Sequence, residues 1–217
     1  MRAAVLVLVL LVSGCVSSGV QPVKQAYLLG DVRNFRADLT EVPEVPVSDP
    51  DGIINLFLDP NLTYIKISFM PDNYTAFYAA TGFEVANKLA VAYKFLYGRG
   101  GAVVLYDDLE KNITNCFYYE ATAKKICINA VPVRSPEDVE NAETEATILF
   151  LPSNTTEVVL DGRTVILRAR SFDETERDYT DLDLAADRFL LLILNYLNST
   201  AEKPGELGNR EGPFNHD

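Results

Sequence analysis

Hydrophobic positions recur along this chain with two periods, and the changes of period divide it into elements. Between residues 74 and 97 apolar side chains return every three or four positions. Val85, Leu89, Ala92 and Leu96 form one stripe, and Phe83, Ala86, Ala90, Tyr93 and Tyr97 a neighbouring one. Two adjacent stripes make a broad apolar face, which predicts a long, largely buried helix. Asp72 or Asn73 can cap its amino end, and Gly98 accepts the positive φ of a helix terminus. Gly82 costs about 1 kcal/mol in mid-helix and predicts a close backbone approach. A second helix is expected over 181–197, with Thr180 and Asp183 at capping-box spacing. Asp187 and Arg188 interrupt its apolar character ahead of Leu190 to Leu194, and it falls short of about 18 clean apolar residues, so it reads as a core helix.

Shorter apolar runs between turn signals read as strands. Ile53 to Leu58 and Tyr64 to Met70 suit a hairpin around Asp59-Pro60-Asn61. Ala102 to Tyr106, 115–120, 125–130 and Thr147 to Leu151 follow. Glu157 to Leu160 and Thr164 to Arg170 flank Asp161-Gly162, the strongest local turn signal. Ala26 to Gly30 suits a short strand, and Ser135 to Glu143 one or two helical turns. From Asp31 to Gly52 the prolines Pro43, Pro46 and Pro50 predict an extended, irregular path ending in an Asp49-Pro50-Asp51-Gly52 turn. Strand, strand and helix recur from Leu58 and again from Leu160, a weak internal repeat. The expectation is an α+β fold: a mostly antiparallel or mixed sheet with two main helices, about 74–97 and 181–197, packed on one face.

Composition narrows the class of protein. The chain has 217 residues, of which 48% are hydrophobic, enough for one real core or two very small ones. Its net charge of −12 argues against nucleic acid, whose phosphates demand Lys and Arg, and against docking on anionic headgroups. Acidity of this kind serves solubility or a salt-exposed envelope.

The first residues add an address. Arg2 precedes an unbroken apolar run from Ala3 to Val12, then Ser13-Gly14-Cys15. About ten residues are too few to cross roughly 30 Å of hydrocarbon as a helix, but they have the charge, length and small-residue exit of a secretory signal. Val12-Ser13-Gly14-Cys15 resembles the lipobox of prokaryotic lipoprotein precursors, with valine in place of the more usual leucine. The resemblance covers only the leader. It implies cleavage before Cys15, a diacylglyceryl group on that sulfur, and a mature domain on the outer face of the cytoplasmic membrane. The alternatives are an ordinary signal peptide with an incidental cysteine and an uncleaved anchor. The division that follows is a signal peptide over 1–14, a tether over 15–25, one globular domain over 26–199 and a disordered tail over 200–217.

Cysteines and sequons agree with export. With Cys15 assigned to lipid, Cys116 and Cys127 remain as a pair. A hairpin closed by a two- or four-residue loop sets them opposite one another, within disulfide range; the alternative is two buried thiols. Asn61, Asn73, Asn112, Asn154 and Asn198 each begin an Asn-x-Ser/Thr sequon. Sequons together with a lipobox point to an archaeal cell surface.

Chemistry is harder to find. His216, the sole histidine, is the penultimate residue of the expected tail, where no general base is held in place. No Gly-x-Ser-x-Gly elbow is present. Asp107 and Asp108 follow a strand and are weak metal candidates, since neighbours on a strand point to opposite faces. Asp173, Glu174, Glu176, Asp178, Asp181 and Asp183 could gather oxygens for calcium but lack EF-hand spacing; acids ahead of a helix already serve its dipole. Gly98-Arg99-Gly100-Gly101 follows a helix and lacks a lysine, so helix termination explains it better than phosphate binding. Tyr74 and Tyr78, or Phe117, Tyr118 and Tyr119, are candidates for an aromatic platform, against ordinary core alternation. The sequence therefore predicts no catalytic residue, metal or cofactor. It predicts a lipid-anchored glycoprotein acting as an interaction module or accessory subunit of an envelope complex. A small-ligand receptor and a metal-assisted hydrolase are the alternatives.

Overall fold

The computed structural model describes residues 42–72, 75–98, 100–105, 114–170 and 180–201. The leader with Cys15, the tether, the strand expected at Ala26 to Gly30 and the tail with His216 lie outside them. The fold is α+β. Seven strands, β1 (Tyr64–Phe69), β2 (Gly100–Leu105), β3 (Thr114–Tyr119), β4 (Lys124–Pro132), β5 (Glu145–Ser153), β6 (Glu157–Asp161) and β7 (Thr164–Arg170), form one sheet in the order β2-β3-β4-β1-β5-β7-β6. The helices are α1 (Pro50–Phe57), α2 (Thr75–Tyr97) and α3 (Thr180–Ala201).

The sheet is mixed. β1 runs parallel to both β4 and β5, and β5 parallel to β7, while β2, β3 and β6 are antiparallel to their neighbours. Two of the three expected hairpins are present. Asp161 pairs with Thr164 around Gly162 at φ 56, and Tyr119 pairs with Lys124 around a loop in which Ala123 takes φ 53.

Side-chain alternation sorts the strands into two faces. Ile65, Ile67 and Phe69 of β1, Ile126 and Ile128 of β4, Ala146, Ile148 and Phe150 of β5, and Val165, Leu167 and Ala169 of β7 are buried toward the helices. Phe189 of α3 meets Phe57 of α1 edge-on at 4.9 Å between ring centres. Gly82 marks the close approach expected of it, since a Cβ there would stand 3.0 Å from Ile67 Cγ2. The connection from β1 through α2 runs toward the β2 edge, whereas the connection from β4 to β5, residues 133–144, runs the other way across β1. Right-handed crossovers in opposite directions belong on opposite faces of a sheet. Accordingly α2 lies on the core face and residues 133–144 lie on the other, where Lys66 Nζ donates to Glu140 O at 2.6 Å.

Three expectations need correction. Ile53 to Leu58 is not a strand and forms no hairpin with β1; it lies in and just after α1. The reason is local. Asp49 accepts from Gly52 N at 2.9 Å, Pro50 fills the first turn, and Ile53, Leu56 and Phe57 fall on one buried helical face. The Asp49-Pro50-Asp51-Gly52 signal is therefore a helix start. The internal repeat falls with it, because helix-strand-helix does not match strand-strand-helix. Finally, Phe83 is 72% exposed. At 100° per residue it points about 200° away from Val85, so one sheet cannot cover both.

Candidate functional site

Strand β4 carries the first site feature. Cys127 N–H donates to Thr63 O at 2.9 Å, on the β1 side. Cys127 is therefore a non-hydrogen-bonded partner of Cys116 across β3 and β4, the pairing that brings Cα atoms closest. The two form the expected disulfide, with Cα atoms 3.9 Å apart. Both sulfurs lie on the face away from the helices, and both residues are buried.

The same face holds a cleft of about 500 Å³. Leu149, Thr164 and Ile166 form its floor, Val139 and Asn141 of the 133–144 connection one wall, and Arg163 with Asp161 of the β6–β7 hairpin its end. Asn141 at its wall holds the connection down on the sheet. Asn141 Nδ2 donates to Thr164 Oγ1 at 3.0 Å, and Thr147 Oγ1 donates to Asn141 Oδ1 at 2.7 Å. Arg163 Nε donates to Glu145 O at 2.6 Å, and its guanidinium pairs with Asp59 at 3.7 Å. Lys66 pairs with Glu145 at 2.6 Å, and this hydrogen bond holds the Glu145 carboxyl below its ordinary range. The cleft sits over the amino-terminal halves of β5 and β7. Parallel sheets generally bind ligands beyond the opposite, carboxyl ends of their strands.

A second polar cluster, unforeseen from the sequence, joins α2 to α3. Thr81 Oγ1 donates to Asp183 Oδ1 at 2.7 Å. Lys88 pairs with Glu84 at 2.5 Å and approaches Asp187 to 3.6 Å. Burial drives the Asp187 carboxyl up to about 8 against the pull of Lys88, with Glu84 and Asp183 adding repulsion. Lys88 sits on the buried face of a helix and Asp187 at i+4 from Asp183. That spacing was legible, but nothing in the sequence says which two helices pair.

The remaining candidates separate. Asp107, Asp108, Asp173, Asp178, Asn73 and Asn112 lie outside the described residues. The two described members of the acidic run diverge: Asp183 turns to Thr81, and Asp181 lies 3.9 Å from Arg170. Among the described residues no group of three acidic, cysteine or histidine side chains could hold a metal, and no helix is long and apolar enough to cross a membrane. Gly98 ends α2 at φ 82, its N–H donating to Lys94 O at 3.0 Å. The aromatic run divides by alternation, with Tyr119 buried and donating to Ala90 O while Tyr118 is exposed. Tyr78 is buried and donates to Asp72. Asn61 and Asn154 are exposed, whereas Asn198 lies half-buried on α3 with its Oδ1 shielded from water.

Fold and site together define an α+β domain with a mixed sheet, helices on one face and a cross-strand disulfide on the other. The chain matches no protein-family model, no curated protein and no solved structure.

Proposed function

We propose that the chain is a lipid-anchored, extracytoplasmic interaction module, tethered through Cys15 to the outer face of the cytoplasmic membrane and serving as an accessory subunit of an envelope complex. The observation that carries this reading is the Cys116–Cys127 disulfide, because such bonds persist in oxidising compartments. The lipobox-like Val12-Ser13-Gly14-Cys15 supplies the route and the attachment point. Two acyl chains at about 0.8 kcal/mol per buried methylene hold a protein at a membrane without a spanning helix. Asn61 and Asn154 are the exposed described sequons where surface glycosylation fits. The source that combines these signals is archaeal.

Mass spectrometry of the native protein tests the reading. The expected product begins at a diacylglyceryl-modified Cys15, partitions with membranes and copurifies with an envelope protein. Recovery from the cytosol with Met1 intact and a free thiol at position 15 would overturn it. The cleft beside Asn141 and Arg163 favours a second reading, a small-ligand receptor. A bound small molecule carried by a monomer through native purification would select that reading over the first.

A further inference from the structure

The far-face cleft combines an apolar floor with an acidic rim. Leu149 of β5 and Ile166 of β7 are register partners on the floor, and Val139 closes over them from the 133–144 connection. The rim carboxylates come from two elements, Glu137 from the connection and Asp161 from the β6–β7 hairpin. Both residues are exposed, and among the described residues neither pairs with a lysine or arginine. Hydrogen bonds from its own backbone N–H and from Ser135 hold the Glu137 carboxyl below its ordinary range and fix it at the rim. Arg163, the cation among the lining residues, is turned elsewhere. Its Nε donates to Glu145 O at 2.6 Å, and its Nη2 lies 3.7 Å from Asp59, shielded from water. We propose that this cleft binds a small organic cation, a primary ammonium on an aliphatic body. The apolar part lies on Leu149, Ile166 and Val139, and the ammonium meets Glu137 and Asp161. The inference rests on the small-ligand-receptor reading and gives that reading a chemical class.

The surroundings select the sign of the ligand. Residues 133–144 carry Glu137, Asp138, Glu140 and Glu143 against Arg134 alone, so the wall itself lends a negative potential. An anion would meet both rim carboxylates with Arg163 withdrawn from it. Helix amino ends, whose dipoles favour anions, are also remote: α2 and α3 begin after the carboxyl ends of β1 and β7, at the other end of the sheet. The floor selects an organic cation over a metal ion. Leu149, Ile166 and Val139 offer no oxygen ligands from their side chains, whereas hard cations demand six or so. A cleft of about 500 Å³ is within the range of small-molecule sites. Because the rim carboxylates are solvated, binding is weak, with a dissociation constant on the order of a millimolar for a short alkylamine.

Titration of the full chain with hexylamine, followed by calorimetry and by amide NMR shifts, tests the proposal, with hexanoate as the counter-probe. The expected result is saturable binding of hexylamine, with shifts at Val139, Leu149 and Ile166, and no such response to hexanoate. Glu137→Gln combined with Asp161→Asn should weaken binding at least tenfold with an unchanged circular-dichroism spectrum. Glu143→Gln, on the same connection but outside the cleft lining, should leave it unchanged. Hexylamine binding that ignores the paired substitution is diffuse attraction to an acidic chain and overturns the proposal. Saturable binding of hexanoate in place of hexylamine overturns the cation but leaves a receptor standing. If neither probe binds and the native protein releases no small molecule on denaturation, the receptor reading falls with it.

Discussion

Lys88 of α2 and Asp187 of α3 face each other at 3.6 Å, with Lys88 7% and Asp187 3% exposed. Lys88 is closer to Glu84, at 2.5 Å, so its charge is shared and burial dominates at Asp187. The carboxyl is held neutral well above the range it has in the unfolded chain.

The sign of the pH effect follows. The folded state keeps a proton on Asp187 up to about 8, whereas the unfolded chain releases it near 4. This group's contribution to stability is full below about pH 4, declines as pH rises through that interval and is lost above about 8. Asp187→Asn mimics the neutral form and removes the decline. Urea unfolding across pH 5 to 8.5 should show a falling midpoint for the parent and a flatter one for the variant. At pH 8.5 the variant should be more stable by about 1–3 kcal/mol.

At the acid end Glu145 acts in the opposite sense. The hydrogen bond from Lys66 lowers its folded pKa, so its contribution is present above the unfolded value and is lost as pH falls through the lowered one. Glu145→Gln should cost about 0.5–1 kcal/mol at neutral pH and little under acid, given that the pair is partly solvated. The same change loosens the connection over the far face, because Glu145 Oε2 also accepts from Ala142 N at 3.2 Å. Limited proteolysis should then cut within residues 133–144 sooner than in the parent.

Reduction of Cys116–Cys127 enlarges the unfolded ensemble more than it disturbs the hairpin. The bridge closes a loop with a sequence separation of 11, for which chain entropy predicts a loss of about 2–3 kcal/mol. Denaturant unfolding with and without reductant measures it. Cys116→Ala with Cys127→Ala should reproduce the reduced value and become insensitive to reductant.

Legibility followed the range of the interactions involved. Asp161-Gly162 and Gly98 each announced a backbone requirement that neighbouring residues suffice to set, and each is met; Gly82 announced a close approach but not that Ile67 and Phe150 make it. Opposition of Cys116 and Cys127 also needed only a hairpin. Pairing of β1 with β4 and β5 was not visible, because parallel partners lie far along the chain and their runs look alike. Tyr64 to Met70 carried the same signal whether its neighbour was a local hairpin arm or a distant strand. The Lys88–Asp187 cluster was hidden for the same reason, and so was the cleft, which exists only because the 133–144 connection crosses β1. Ile53 to Leu58 failed differently. Its short apolar run fits either period, and Asp49 with Pro50, read as a turn, decided it for a helix.

That decision is testable at Asp49, whose carboxylate accepts from Gly52 N at the start of α1. Asp49→Ala removes the cap and should cost about 1 kcal/mol, while Asp49→Ser should recover most of it. Thermal unfolding distinguishes the two. Equal losses from both would mean that the carboxylate serves something other than the helix end.

Gly82 and Phe83 adjoin in sequence and point about 100° apart, Gly82 onto the sheet and Phe83 to solvent, which makes them a test of how α2 sits on the sheet. A Cβ at position 82 would lie 3.0 Å from Ile67 Cγ2 and 3.5 Å from the Phe150 ring, both on buried side chains. Gly82→Ala gains about 1 kcal/mol of helix propensity, and the small shift required of Ile67 offsets it, so the net change should stay within about 1 kcal/mol of zero. Gly82→Val forces two further carbons against Ile67 and Phe150 and should cost about 1–3 kcal/mol, because a packed core resists added volume. Phe83→Leu, one residue on and exposed, should move stability by less than about 0.5 kcal/mol. Unfolding free energies for the three variants measure the contrast. A Phe83→Leu cost matching that of Gly82→Val would turn the helix over and place the aromatic ring in the core.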